Sequence, residues 1–185
     1  MQDYVQKMVD DRRWFHRHPE EGWTEFETTW YIVKHLRDEG WTMLVGTKVI
    51  NPQAVMGRNE SLVKASIERA LAHGVPQAFI DECEGYTGAV AVFDTGRPGP
   101  VTALRFDIDC LAIEETDDPE HVPNKLGFRS EYKGYSHACG HDGHAAVGMA
   151  VARWGKDHAD ELTGVVKILF QPAEEGVRGA AAMAA

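Results

Sequence analysis

Between His137 and His144 the sequence reads HACGHDGH, three imidazoles and one thiol within eight residues. The whole chain holds nine histidines and three cysteines in 185 residues. A window of that length would therefore contain about half of one such side chain by chance. His137, Cys139, His141 and His144 offer donors suited to zinc and the other late first-row divalent ions. Surface histidines, or a histidine capping a helix, are the competing readings of this stretch by itself. Two further groups bear on the choice. ALRFDID puts Asp107 and Asp109 at the end of one predicted strand, and LFQPAEE puts Glu174 and Glu175 just past the end of another. Ligands of open α/β sheets bind at the carboxyl ends of the strands, so acid, thiolate and imidazole from three segments can meet at one point. Neighbouring glutamates in a non-helical turn point different ways. One can ligate a metal while the other serves as general base toward a water whose pKa the metal lowers to about 7. An isolated pair of glutamates is more often an exposed acidic turn; the company of the cluster favours a site.

The elements that must position these groups are legible in the periodicity. Residues 3–15 have a helical pattern with Tyr4, Val5, Met8 and Phe15 inward, ending near HPEEG. A second helix reaches Gly40, with Phe26, Trp30 and Val33 as core positions and Thr24 and Glu27 at the spacing of a capping box. WTMLVGTKVI reads as strand. Residues 51–85 contain two short helical patterns punctuated by Pro52, Gly57, Gly74 and Pro76, which we read as a helical insertion. TGAVAVFD and VTALRFDID read as strands separated by the turn DTGRPGP. The polar stretch 113–135 reads as a long loop of the kind that is often functional. A helix follows the cluster through Ala145, Val147, Met149, Val151 and Trp154, stopping around Gly155 or a turn later. VVKILF is an uninterrupted apolar run, expected of a strand buried on both faces of a parallel sheet. The fold class is therefore α/β, a mainly parallel sheet flanked by helices.

Composition narrows the function classes. The formal charge of −10 argues against a phosphate-backbone binder, so nucleic acid is a poor partner. No run of about 18 apolar residues occurs, which argues against a membrane span. The N-terminus lacks the basic start, apolar core and cleavage site of a signal peptide. Cys83, Cys110 and Cys139 are scattered and odd in number, which suggests reduced thiols rather than a disulfide framework. We expect a cytoplasmic protein.

RRWFHRHPE, ALRFDID, SHACGHDGH and ILFQPAEEG, in this order and spacing, resemble the M20 metallopeptidases, in particular the amidohydrolase branch that cleaves N-acyl amino acids. The resemblance runs along essentially the whole chain and implies a zinc-peptidase-like catalytic domain. It implies that Cys139 and His141 are ligands in a two-metal site, with Cys139 bridging, and that Glu175 is the glutamate ligand. Glu174 matches the general base that takes a proton from the attacking water and passes it to the leaving amine. Asp109 matches an aspartate supporting the site from behind, and His137 and His144 take supporting roles. Arg12, His16, Pro19 and Glu20 form a family marker of structural role. Manganese or zinc are the metals foremost implied, with nickel and cobalt also suited. Within the branch, the 51–85 segment, DTGRPGP and NPQAVMG look most like members that cleave p-aminobenzoyl-glutamate, a folate breakdown product, to p-aminobenzoate and glutamate. An oligomer, with a second related subunit, is implied in the same way. Deacylases of hippurate-like or indole-acetyl amino acids are the alternative, as is a non-catalytic metal-binding fragment.

Two departures occur. Cys110 stands where alanine is usual after DID, and Ala145 where threonine often follows the last histidine; neither removes a proposed ligand. The family also continues well beyond this length, adding a lid or dimerisation domain and further histidine ligands. Donor counting agrees, because a catalytic metal takes about three protein ligands and a pair needs more. We expect residues 1–185 to be the N-terminal part of a catalytic domain, with the insertion at about 51–85, without the lid, and inactive by itself. A sheet cut at that point would expose an edge and an apolar face.

Overall fold

The computed structural model describes residues 2–184. Helix α1 spans Gln2–Arg17, with Asp3 in its first turn and His16 and Arg17 in its last, charges that complement the helix dipole. Phe15 is fully buried, whereas Val5, expected inward, is exposed. Helix α2 spans Phe26–Asp38 and buries Phe26, Ile32, Val33 and Leu36.

The expected capping box does not form. The Thr24 hydroxyl donates to the Glu21 carbonyl, and the Glu27 carboxylate is held by Arg69, His73 and Tyr132. The free N–H groups of the first turn go instead to Glu20, which accepts from Thr28 at 2.8 Å and from Glu27 at 3.4 Å. The bend at Pro19 to Thr24 folds a buried, Arg69-paired carboxylate back over the helix start. An anionic acceptor there suits the positive end of the helix better than a neutral hydroxyl.

Strand β1 is Thr42–Val45, shorter than WTMLVGTKVI suggested, because the chain turns into a 3₁₀ helix at Gly46–Lys48. The 51–85 segment supplies α3, Glu60–Ala72, capped by Asn59, and α4, Gln77–Cys83. Strands β2, Ala89–Asp94, and β3, Val101–Asp107, follow. The long loop after β3 holds one short helix, α5, Val122–Leu126. Helix α6, His141–Asp157, leads to β4, Val165–Gln171, and α7, Gly179–Ala184, comes last.

The four strands are ordered β1-β2-β4-β3. The α/β class holds, but the sheet is mixed: β1 pairs with β2 and β2 with β4 antiparallel, and only β3 and β4 run parallel. The short turn after Asp94 reverses the chain, so β2 and β3 must run in opposite directions, and β4 inserts between them. The connection from β3 to β4 carries α6 and is long enough for a parallel crossover. On β4, Ile168 and Phe170 are fully buried while Lys167 is exposed, so one face is less covered than the apolar run predicts. β3 forms an edge, with Val101–Arg105 exposed. Helix α6 seats on the sheet through Gly148, where a Cβ would stand 2.8 Å from the rings of both Phe106 and Phe170. That contact brings the N-terminus of α6 to the carboxyl ends of the parallel pair.

Candidate metal centre

In the register of β3 and β4, Asp107 lies opposite Gln171, so both strands end at one level. Beyond β3 the backbone continues extended, and Ile108 donates to the Gln171 carbonyl at 3.1 Å. This carries Asp109, fully buried, under the start of α6. Gly140, at φ +100°, makes the left-handed step between Cys139 and the first residue of α6, His141. A side chain at position 140 would be strained there, which explains the glycine between two candidate donors.

Beyond β4 the chain enters a tight turn over 174–177. Ala173, just before it, has φ 50° and Val177, its last residue, φ 59°, left-handed values uncommon for residues with side chains. Buried groups hold the turn. Glu25 accepts from the Ala173 N–H at 2.8 Å and from the Thr87 hydroxyl. Asp109 Oδ2 accepts from the Glu175 N–H at 2.9 Å. Complete burial, then the Asp109 charge, push the Glu25 carboxyl well above the usual carboxylate range.

These constraints bring Cys139, His141 and Glu175 together, with one donor atom of each within 4.8 Å of the others. His141 Nδ1 lies 3.0 Å from the Asp109 carbonyl oxygen and 3.2 Å from its Oδ1. With Nδ1 as donor, the lone pair of Nε2 is left free to ligate, the usual arrangement of a metal-binding histidine. Glu174 Oε2 stands 3.8 Å from His141 Nε2, and its side chain is part-exposed. Asp109 touches both His141 and the Glu175 backbone and faces no open space itself. His144 lies outside the cluster: its Nδ1 accepts from the Asp107 N–H at 3.0 Å. His137 is also outside it, buried with both ring nitrogens lacking a partner among the described residues.

The electrostatics fit a divalent cation. The hydrogen bond to Asp109 drives the His141 imidazole up to about 9 against the opposing effect of burial. The Cys139 thiol is raised first by the acceptor pull of the Glu175 carboxylate, with burial and the charges of Glu175, Glu174 and Asp109 adding to it. A field that holds protons on a histidine and a thiol is one that stabilises a cation in their place. Glu175 Oε1 is buried and has no hydrogen-bond partner among the described residues, as a carboxylate oxygen reserved for a metal would be. Thiolate, imidazole and carboxylate together form a donor set for a divalent metal ion.

The sequence reading missed the network behind the cluster. His16 Nδ1 lies 2.8 Å from Asp142 Oδ2, and its Nε2 lies 2.9 Å from Glu115 Oε1. Arg12 Nε donates to the same Asp142 oxygen at 3.0 Å. Asp142 follows His141 directly, so α1 grips the first turn of α6 next to a candidate ligand. The sequence signal for it was the motif of Arg12, His16, Pro19 and Glu20 in RRWFHRHPE, read as structural without its partners Asp142 and Glu115. Glu115 and Glu25 gave none, being ordinary acids in polar stretches.

Residues 103–185 match the profile of Peptidase family M20/M25/M40. Over 181 residues the chain is 50% identical to a p-aminobenzoyl-glutamate hydrolase subunit homolog of Haemophilus influenzae, covering 97% of this chain and 43% of that protein. It is 40% identical over 191 residues to the indole-3-acetyl-aspartic acid hydrolase of Enterobacter agglomerans, covering 100% of this chain and 44% of that one. Among solved structures, a Bacillus subtilis protein described as a dinuclear metal binding peptidase from the M20 family superposes with a TM-score of 0.68 at 31% identity, covering 97% of this chain and 38% of that chain. The chain thus spans less than half the length of the curated relatives it matches. Its motifs gather at the end of the parallel strand pair, residues 103–185 match Peptidase family M20/M25/M40, and half its residues are identical to those of a relative along nearly the whole of this chain.

Proposed function

We propose that this chain carries part of the catalytic centre of a metal-dependent amidohydrolase that cleaves N-acyl amino acids, with p-aminobenzoyl-glutamate as the favoured substrate. The observation that carries the reading is the meeting of Cys139, His141 and Glu175 within 4.8 Å, with the Glu174 carboxylate beside them. Cys139, His141 and Glu175 would hold divalent metal, manganese or zinc foremost, in a site shared by two ions. Bound there, metal would supply Lewis-acid polarisation of the carbonyl and a lowered pKa for the attacking water.

The remaining steps belong to the chain's own residues. Glu174 accepts the proton of the water that attacks the amide carbonyl. It then delivers that proton to the departing amine nitrogen, so the C–N bond breaks to a carboxylic acid and a free amine. Asp109 keeps His141 in the tautomer that presents Nε2 and fixes the Glu175 backbone. Glu25 holds the turn that brings the Glu174 and Glu175 carboxylates to opposite nitrogens of the His141 ring, 3.8 Å from Nε2 and 4.0 Å from Nδ1. The similarity to a protein whose name makes it one subunit of a hydrolase supports assembly with a second, related one. The similarity to an indole-3-acetyl-aspartic acid hydrolase keeps indole-acetyl amino acids as the second substrate reading.

The test compares hydrolysis of p-aminobenzoyl-glutamate, benzoyl-glycine and indole-acetyl-aspartate, with manganese or zinc added, by the longest product of the reading frame containing this sequence. Release of p-aminobenzoate fastest among the three, abolished by chelation, supports the reading. No preference for p-aminobenzoyl-glutamate removes that substrate, and metal-independent hydrolysis removes the mechanism.

A further inference from the structure

A cavity of about 520 Å³ lies beside the candidate metal centre, between α1 and the loop that follows β3. Its inner wall is Ser136 to Ala138, the segment leading directly into Cys139. The acids around it are already engaged. Glu115 is held by His16, His121 and the Ser130 N–H, and Glu114 accepts from the Gly134 N–H and lies near Arg129. Arg12 is placed differently. One edge of its guanidinium is pinned through Nε to Asp142, and its carbon stands 5.9 Å from the centroid of the Phe128 ring. The side chain is 48% exposed, and among the described residues its terminal Nη nitrogens have no partner. An arginine fixed along one edge and resting on an aromatic ring presents the rest of its fork in a set direction, the geometry that receives a planar carboxylate. On the inner wall, His137 is 5% exposed, its two ring nitrogens buried and, among the described residues, without a hydrogen-bond partner. Ile113, Val122 and Phe128 give the rest of the lining an apolar surface.

We propose that this cavity binds the amino-acid half of an N-acyl amino acid, with Arg12 as the anchor of its carboxylate and Phe128 and Val122 bounding the side chain. The assignment rests on the amidohydrolase reading for its substrate class. It selects the amino-acid half because that half always carries a carboxylate, whereas the acyl half can be neutral. The structure makes Arg12 a binding residue as well as part of the Asp142 network.

The experiment measures binding of benzoyl-glycine, its neutral analogue benzoyl-glycinamide, and p-aminobenzoate to the protein by calorimetry. Benzoyl-glycine is expected to bind and the amide to bind far more weakly. Arg12→Gln should weaken benzoyl-glycine about tenfold or more, the loss of a charge-assisted pair, and Arg12→Lys should restore part of it. Val122→Trp, at a 56% exposed position where folding is not at stake, should block the cavity and weaken benzoyl-glycine in the same way. No binding of benzoyl-glycine, or binding unchanged in both Arg12→Gln and Val122→Trp, overturns the assignment. So does Arg12-dependent binding of p-aminobenzoate alone, which would place the acyl half here. The two readings fail separately. Hydrolysis with an unchanged KM in Arg12→Gln would remove the cavity and keep the enzyme. Arg12-dependent benzoyl-glycine binding without hydrolysis of any amide would do the reverse.

Discussion

Asp109 is the residue whose replacement tests the geometry of the centre most directly. It is fully buried and holds two elements at once, accepting from His141 Nδ1 at 3.2 Å through Oδ1 and from the Glu175 N–H at 2.9 Å through Oδ2. In Asp109→Asn the side chain keeps its shape, but one oxygen becomes an NH2 group. If the amide oxygen stays on the Glu175 N–H, the NH2 faces His141 Nδ1, donor against donor. The imidazole then favours the tautomer with its proton on Nε2, the nitrogen left for a metal. Loss of such a supporting partner lowers metal affinity by about 10-fold to 100-fold. The Asp109 backbone carbonyl, 3.0 Å from the same Nδ1, survives the substitution and still favours the correct tautomer. The loss is therefore expected near tenfold, about 1.4 kcal/mol. Competition of zinc or manganese against a chromophoric chelator measures it, with far-UV circular dichroism confirming that the variant is folded. Metal affinity equal to that of the unsubstituted chain would refute the argument that Asp109 sets the His141 tautomer.

Glu174→Gln should leave metal affinity within a factor of about two, while hydrolysis falls about 10²-fold to 10⁴-fold; an active Glu174→Gln enzyme would remove Glu174 as the proton carrier. The His16 network should give stability a defined pH window. Burial opposes the His16 cation, but the hydrogen bonds to Asp142 and Glu115 outweigh it and raise its pKa from 6.5. Its contribution is thus complete below 6.5 and is lost as pH rises through the raised folded value. For Asp142 and Glu115 burial is likewise outweighed, above all by the bond to His16, and their pKa values fall below 3.8 and 4.5, so their contribution is lost only in acid. His16→Gln should accordingly destabilise the chain by about 3 kcal/mol between those limits, and by much less once His16 is neutral, as read by urea unfolding across the range; a pH-independent difference would contradict this. Glu25 is held above the usual carboxylate range, so Glu25→Gln should be tolerated, while Glu25→Ala leaves the Ala173 N–H unpaired and costs about 1–3 kcal/mol in thermal or urea unfolding. Gly148→Ala should destabilise by about 1–3 kcal/mol through the clash with Phe106 and Phe170, and a neutral result would mean that α6 can move off the sheet.

Local information was sufficient for the parts of this protein that local forces decide. The helices were legible because burying one face imposes a 3.6-residue period, and the strands because apolar runs ended at Gly- and Pro-rich turns. Cys139 and His141 stand two residues apart around a glycine that only a left-handed step requires, so their proximity needed no tertiary contact. Glu174 and Glu175 were placed with equal ease, at the end of an apolar strand. What joins these two groups is not local. The insertion of β4 between β2 and β3 and the mixed sheet depend on pairing between residues about 60 or more positions apart, and the seating of α6 through Gly148 depends on contact with Phe106 and Phe170 on two different strands. The same holds for the shared acceptor Asp109, the reach of Glu25 to Ala173 across 148 residues, and the grip of His16 on Asp142 across 126. The helix cap was misread for this reason: Thr24 and Glu27 have the right spacing, but a buried Glu20 paired with Arg69 offers the helix a stronger acceptor. Residue type and spacing establish which donors exist and which lie next to each other along the chain. Tertiary structure decided which of them meet, because a carboxylate's hydrogen-bond partners are set by what the fold buries around it, and that carries no mark in residue type or spacing.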